Sequence, residues 1–137
     1  MASRAASDVL AAGLVAAFGS GAPSSVHALA TGRDPLEATR AAGSLLLPRE
    51  QRSVLLLAAA VPVHLALSVG WAAVLARLMP RRPSLVSGAA AGVAIGALDV
   101  GLVGRRVRRI RALPLRPQLA DHALFGALVA LVLRRRA

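Results

Sequence analysis

The chain contains no cysteine, no tyrosine and no lysine, and aromatic side chains make up only 2% of its 137 residues. Without thiols, disulfides, thiolate metal sites and c-type haem attachment are excluded. The shortage of aromatics leaves no stacking platform for nucleic acid, and no nucleic-acid-binding motif is present. Acids are scarce too, 6 against 17 basic residues that are all arginine, for a formal charge of +11. Such an excess attracts either nucleic acid or anionic lipid. The arginines flank long apolar runs and form no single stripe, so the lipid bilayer is the expected partner and nucleic acid is not. Enzyme signatures are equally missing: there is no HEXXH metal motif, no phosphate loop, and no nucleophile elbow around GSGAPSS. The chain reads as a protein that is not an enzyme and holds neither metal nor cofactor.

What is there in abundance is apolar surface. Hydrophobic residues make up 56% of the chain and the mean hydropathy is +0.63, too apolar for an ordinary water-soluble domain. Four segments approach the roughly 20 residues that a helix needs to cross a bilayer. They lie near residues 8–30, 53–78, 84–104 and 118–133. The start of the chain resembles a signal peptide, but Asp8 interrupts its first turn and the apolar run continues past Pro23, so it is read as an uncleaved span. Pro23 and Pro62 each remove a helix donor, which predicts kinks in the first two spans.

Between those spans, Asp34, Pro35 and Glu37 form an N-cap, a first helical residue and a capping-box acid. They predict a short amphipathic helix over residues 35–47, lying at the membrane interface with Leu36, Gly43, Leu46 and Leu47 on one face. The link MPRRPS is short, which predicts that spans two and three pack as an antiparallel pair. The expected fold is therefore all-α: one integral membrane domain over residues 1–137, a four-span transmembrane helix bundle with one interfacial helix. Ten arginines fall on the side of loops one and three and seven on the side of the termini and loop two, so the charge bias leans toward cytoplasmic loops one and three.

The third span carries Gly88, Gly92 and Gly96, two overlapping small-xxx-small units, and Asp99 falls within about 20° of Gly88 and Gly92 at ~100° per residue. Glycines so spaced allow a second backbone to approach closely, which is how helices associate where lipid gives no hydrophobic push. That face can serve a partner helix or a homo-oligomer. It also turns Asp99 inward, away from lipid, where an aspartate costs about 2.5 to 3.5 kcal/mol. Its partner is expected on another helix or in the basic third loop.

Two further stripes, Ser20–Ser24–His27 and His64–Ser68–Trp71, follow helical spacing and should face the interior. The fourth span opens with Asp121 and His122, and His122, Gly126 and Ala130 make another small-residue face. His27, His64, Asp99, Asp121 and His122 thus form a candidate intramembrane polar cluster, with His64 near mid-depth and the rest toward loops one and three. Such a cluster either pins the helices by hydrogen bonds or moves protons or ions. Haem ligation by His27 with His122 is chemically permitted, but the chain has few aromatics to line a porphyrin pocket. Residues 105–111 supply arginines suited to anionic lipid headgroups.

The strings SGAPSSVHALATGRDPLEATRAAG, HLALSVGWAAVLARLMP and ALDVGLVGRRVRRIRALPLRPQLADHALFGALV resemble a group of small, uncharacterised multi-pass membrane proteins of actinobacteria. The resemblance covers most of the chain and implies a multi-pass protein of the bacterial inner membrane. It implies no catalytic or binding role for any residue. The reading is an integral membrane protein with a structural or protein-interaction role; the alternative is a small transporter or proton-linked channel that uses the Asp/His cluster.

Overall fold

The structure is a computed structural model that describes residues 4–137; the first three residues of the signal-like start lie outside it. Its described part is helical without strands: α1 (Ala6–Gly19), α2 (Ala22–Ala30), α3 (Glu37–Gly43), α4 (Ser53–Leu78), α5 (Leu85–Leu98), a π-helical turn (Asp99–Val103), α6 (Arg108–Arg111) and α7 (Leu115–Arg135). Three rods are long and apolar enough to cross a membrane: Ala6–Ala30, Ser53–Leu78 and Leu85–Val103, of 25, 26 and 19 residues. The fourth rod, α7, has 21 residues. Gln118, Asp121 and His122 in its first half make it less apolar, and it is not among the three.

The surface of the bundle is the reverse of a water-soluble one. Phe18 is 86% exposed and Val86 79%, while Ser20, Ser44 and Ser68 are buried. The interior combines many alanines with a few large side chains, and Ala12, Ala16, Leu56, Ala72, Val129 and Ala130 are completely covered. Large apolar groups on the outside suit a hydrocarbon solvent, where bulk apolarity gives no drive to bury and close packing does the work.

The helices pack in the order α4, α1, α7, α5, with α1 and α7 in the middle. This corrects the expectation that spans two and three form a pair, because α4 and α5 barely touch despite the short link between them. Small-residue faces choose the neighbours instead: the glycines of α5 fit α7, and the alanines of α4 fit α1. The link itself is held from the chain start. The Arg4 guanidinium donates to the carbonyls of Ala76 and Pro80 and, at 3.0 Å, to that of Arg81, so it satisfies orphan acceptors at the end of α4. Arg136 pairs with Asp8 at 3.2 Å. Both ends of the chain and loop two therefore share one end of the bundle. At the other end Arg109 donates to Gln51 Oε1 at 2.8 Å, tying loop three to loop one.

The first rod does break: α1 stops at Gly19, α2 resumes at Ala22, and Pro23 sits at the second helical position. By contrast, α4 runs through Pro62 without interruption. The short helix between spans one and two is α3, and it starts at Glu37 and ends at Gly43, inside the expected 35–47. Its buried residues are Ala41 and Gly43, followed by Ser44, whereas Leu36 and Leu46 are exposed. Gly43 lies so close to α4 that a Cβ there would collide with the Leu56 carbonyl. The seat of this helix on α4 is thus set by a backbone contact, and Leu36 and Leu46 face away from the bundle. The capping box does not form either. Asp34 Oδ1 accepts from the Leu36 N–H at 2.8 Å, an Asx-turn, and Glu37 pairs with Arg33 at 2.9 Å.

Candidate functional site: a polar seam along the fourth helix

The glycine face of α5 lies directly on α7. A Cβ at Gly88 would strike the Gly126 carbonyl, one at Gly92 the His122 carbonyl, and one at Gly126 the Gly88 carbonyl. A Cβ at Gly96 would come within 2.8 Å of the His122 ring. Hydrogen in place of a side chain is required at all four positions: the two backbones are in contact at Gly88–Gly126 and Gly92–His122, and the His122 side chain covers Gly96. Ser84 starts α5 by accepting from the Ser87 N–H at 3.0 Å, an N-cap that the sequence reading did not assign.

Asp99 sits one turn beyond Gly96, where α5 widens into the π-helical turn and the Gly104 N–H donates to the Asp99 carbonyl at 2.8 Å. Its carboxylate Oδ2 lies 3.3 Å from His122 Nε2. The other ring nitrogen, Nδ1, lies 2.8 Å from the Gln118 carbonyl one turn back on α7. The partner of Asp99 is therefore a histidine on the fourth helix and not a loop arginine.

Asp121, one residue before His122, turns toward α2. Its Oδ1 accepts from the Ser24 N–H at 2.8 Å. Ser24 is in the first turn of α2, where backbone donors have no intrahelical partner, so a side chain from α7 caps the helix that restarts at the break. On the other side of that break His64 of α4 does the converse. Its Nε2 lies 2.8 Å from the Ala17 carbonyl, near the end of α1, and since a carbonyl only accepts, Nε2 carries the hydrogen. Two ionisable side chains from two other helices thus satisfy the acceptor and the donor freed by one interruption.

The five candidates are accordingly not one cluster. Asp99 and His122 form a pair, Asp121 and His64 each bind backbone at the α1–α2 break, and His27 bonds to none of the other four. His27 instead lines a narrow cleft with Pro117 and Gln118, beneath loop one. Ser20 and Ser68 are buried as their stripes require, but His64 is exposed apart from its ring contact with Ala17, which corrects the expectation that it faces the interior. Among the described residues no buried side-chain nitrogen or oxygen lacks a hydrogen-bond partner, and no group of three metal-ligating side chains occurs.

Above this seam, at the end that carries loops one and three, a cleft of about 450 Å³ is lined by Arg33, Asp34, Glu37, Arg40, Arg109 and Ala112. Arg40 pairs with Asp34 and holds its carboxyl below the ordinary range, with the Leu36 N–H adding to the effect. Nearby, Glu50 is lowered to about 2 by its hydrogen bond to Arg52 and by backbone donors. These acids stay ionised at any physiological pH, and the loop surface remains a fixed lattice of charges in which arginine is in excess.

The three apolar rods and the many exposed large apolar side chains fit a membrane-embedded protein. Comparison with family models, with curated proteins and with solved structures gives no match.

Proposed function

We propose that this protein is a multi-pass protein of the cell membrane, with α7 as a fourth span, and that it acts as a structural or protein-interaction component without enzymatic activity. The observation that carries this reading is the complete internal use of its polar groups: every buried side-chain nitrogen and oxygen among the described residues is satisfied within the protein. Asp121 and His64 are engaged by backbone at the helix break, and His122 by backbone and Asp99. Polar groups used in this way fix helix register, since an unsatisfied group in hydrocarbon is costly. A relay across the bilayer would need further titratable groups toward the other end, and the only other acid in these four rods is Asp8, which is paired with Arg136 at that end.

The fourth span is supported by position. α7 lies between α1 and α5, which belong to rods apolar enough to be in the membrane, and its Asp121 and His122 reach those rods at Ser24 and Asp99. Its rise over 21 residues is about 30 Å, the thickness of the hydrocarbon core. Membership of the actinobacterial group of small multi-pass membrane proteins belongs to the same reading, as does an inner-membrane location. The arginine-lined cleft above the seam is suited to anionic lipid headgroups as partners, with about 1 kcal/mol available per basic side chain near the surface.

Transport is the rival activity, and liposomes separate the two. Vesicles containing the purified protein should hold an imposed pH gradient as long as empty vesicles do. A proton or solute leak that disappears in Asp99→Asn, with the fold retained, would overturn the structural reading.

A further inference from the structure

His122 touches two oxygens of different kinds, and together they count its protons. The Gln118 carbonyl, 2.8 Å from Nδ1, has no hydrogen to give, so Nδ1 must carry one. The hydrogen of a neutral imidazole is then spent, and its Nε2 presents a bare lone pair. Opposite it, at 3.3 Å, stands an oxygen of Asp99. An ionised carboxylate also offers only lone pairs, so those two states facing each other repel. The contact is attractive when one more proton lies between them. That proton sits either on Nε2, as an imidazolium facing a carboxylate, or on Asp99, as an acid donating to Nε2.

We propose that Asp99 and His122 form a binding site for a single proton, and that this proton fastens the loop-side end of α5 to α7. The inference goes beyond the structural role, because glycine packing alone would hold the seam equally well at any pH. The seam holds the histidine half of the pair in place. The His122 ring is pressed on Gly96, where even a Cβ would crowd it, and its backbone carbonyl is pressed on Gly92. Asp99 is held at the start of the π-helical turn, a geometry that recurs at functional positions in helices.

The other titratable groups around the pair are few. Asp121 is next to His122 on α7 and is committed to the Ser24 N–H, and His64 of α4 lies beyond it, committed to the Ala17 carbonyl. His27 of α2 is beside Gln118. α5 contributes no charged residue, and Arg105 and Arg106 follow the π-helical turn.

The test uses the full chain in lipid nanodiscs, with wild type, Asp99→Asn and Asp99→Ala compared across pH. Asparagine offers a permanent N–H to Nε2 and so imitates the loaded site; alanine offers nothing. In the unfolded chain, well above about pH 6.5, the carboxyl is ionised and the imidazole keeps a single hydrogen, so the extra proton is absent. From there the folding equilibrium of the wild type should fall by about tenfold per pH unit relative to Asp99→Asn, until the pair too gives up its proton. Asp99→Ala should be weaker than Asp99→Asn at every pH and lack the wild-type slope. In ¹⁵N spectra of labelled histidine, His122 Nδ1 should stay protonated throughout. Equal pH slopes in wild type and Asp99→Asn would overturn the proposal. So would a His122 tautomer with hydrogen on Nε2 alone, which the wild-type spectrum reports even if neither variant assembles.

Discussion

The two long seams of this bundle are built from small residues in different ways. Between α5 and α7, Gly88 and Gly126 place each backbone against the other's carbonyl, and Gly92 does the same with His122. Between α1 and α4 the shared core positions are alanines, Ala12 and Ala16 on one side and Ala72 on the other. There the only glycine that excludes a side chain is Gly13, whose Cβ would come within 2.8 Å of Val69 Cα. One seam is thus backbone on backbone, and the other is separated by a layer of methyl groups. The polar groups divide in the same manner: a side-chain pair, Asp99 with His122, closes the glycine seam, whereas His64 binds bare backbone across the alanine seam. A seam with no side chains to yield should be sterically brittle, and one lined by methyls should tolerate small changes.

The sharpest way to break this contrast is Gly92→Leu, which drives a side chain into the His122 carbonyl. It should cost about 3 kcal/mol, the upper end of overpacking penalties, and separate α5 from α7. The counterpart on the other seam, Ala72→Gly, should cost only about 1 kcal/mol, the ordinary helix difference between the two residues. Reversible unfolding in detergent measures both, and equal losses would erase the distinction.

Next in size is Asp121→Ala, which strips the Ser24 N–H of its acceptor at the break. A loss of about 1 to 3 kcal/mol is expected, while Asp121→Asn keeps an accepting oxygen and should stay near wild type. Equal losses in both variants would mean that the carboxylate charge, and not its capping bond, is what matters. His64→Leu comes after it, at about 0.6 kcal/mol and no more than about 1.7, the average and the maximum for hydrogen bonds between membrane helices. A comparable loss should follow with no change at the glycine seam, as amide exchange at Ser24 and at Gly92 would show.

The smallest effect lies outside the seams. Glu50 titrates at about 2 because Arg52 and the backbone donors beside it favour the carboxylate. Its contribution to loop one is complete above the free-acid value of 4.5, fades as pH falls, and is gone below about 2. Carboxyl ¹³C titration should report that midpoint. Arg52→Ala should return it toward 4.5.

Much of this arrangement was legible from spacing. Gly88, Gly92 and Gly96 at four-residue intervals, and His122, Gly126 and Ala130 likewise, describe two smooth faces, and the structure lays one on the other. The break near Pro23 followed from a missing N–H. What spacing could not show is which face meets which. The short link after Met79 argued for contact between α4 and α5, yet a link constrains only the two helix ends beside it, and closeness of approach decides the rest. Nor could spacing tell that Asp121 caps a neighbouring helix, because a capping bond across 97 positions leaves no local trace. The glycine of the interfacial segment was the harder part to read: Leu36 and Leu46 are exposed, as an apolar face turned to lipid would be, while Gly43 makes the contact with the Leu56 backbone.

The most direct test of the whole account is whether α7 crosses the bilayer between α1 and α5. The chain has no cysteine to confuse the measurement, so Ala112→Cys in loop three and Ala137→Cys at the last residue can be probed singly with a membrane-impermeant maleimide in intact and opened cells. The account predicts that the two positions react from opposite sides. Reaction of both from the same side would contradict it, because the helix that carries Asp121, His122 and Gly126 would then not span the membrane.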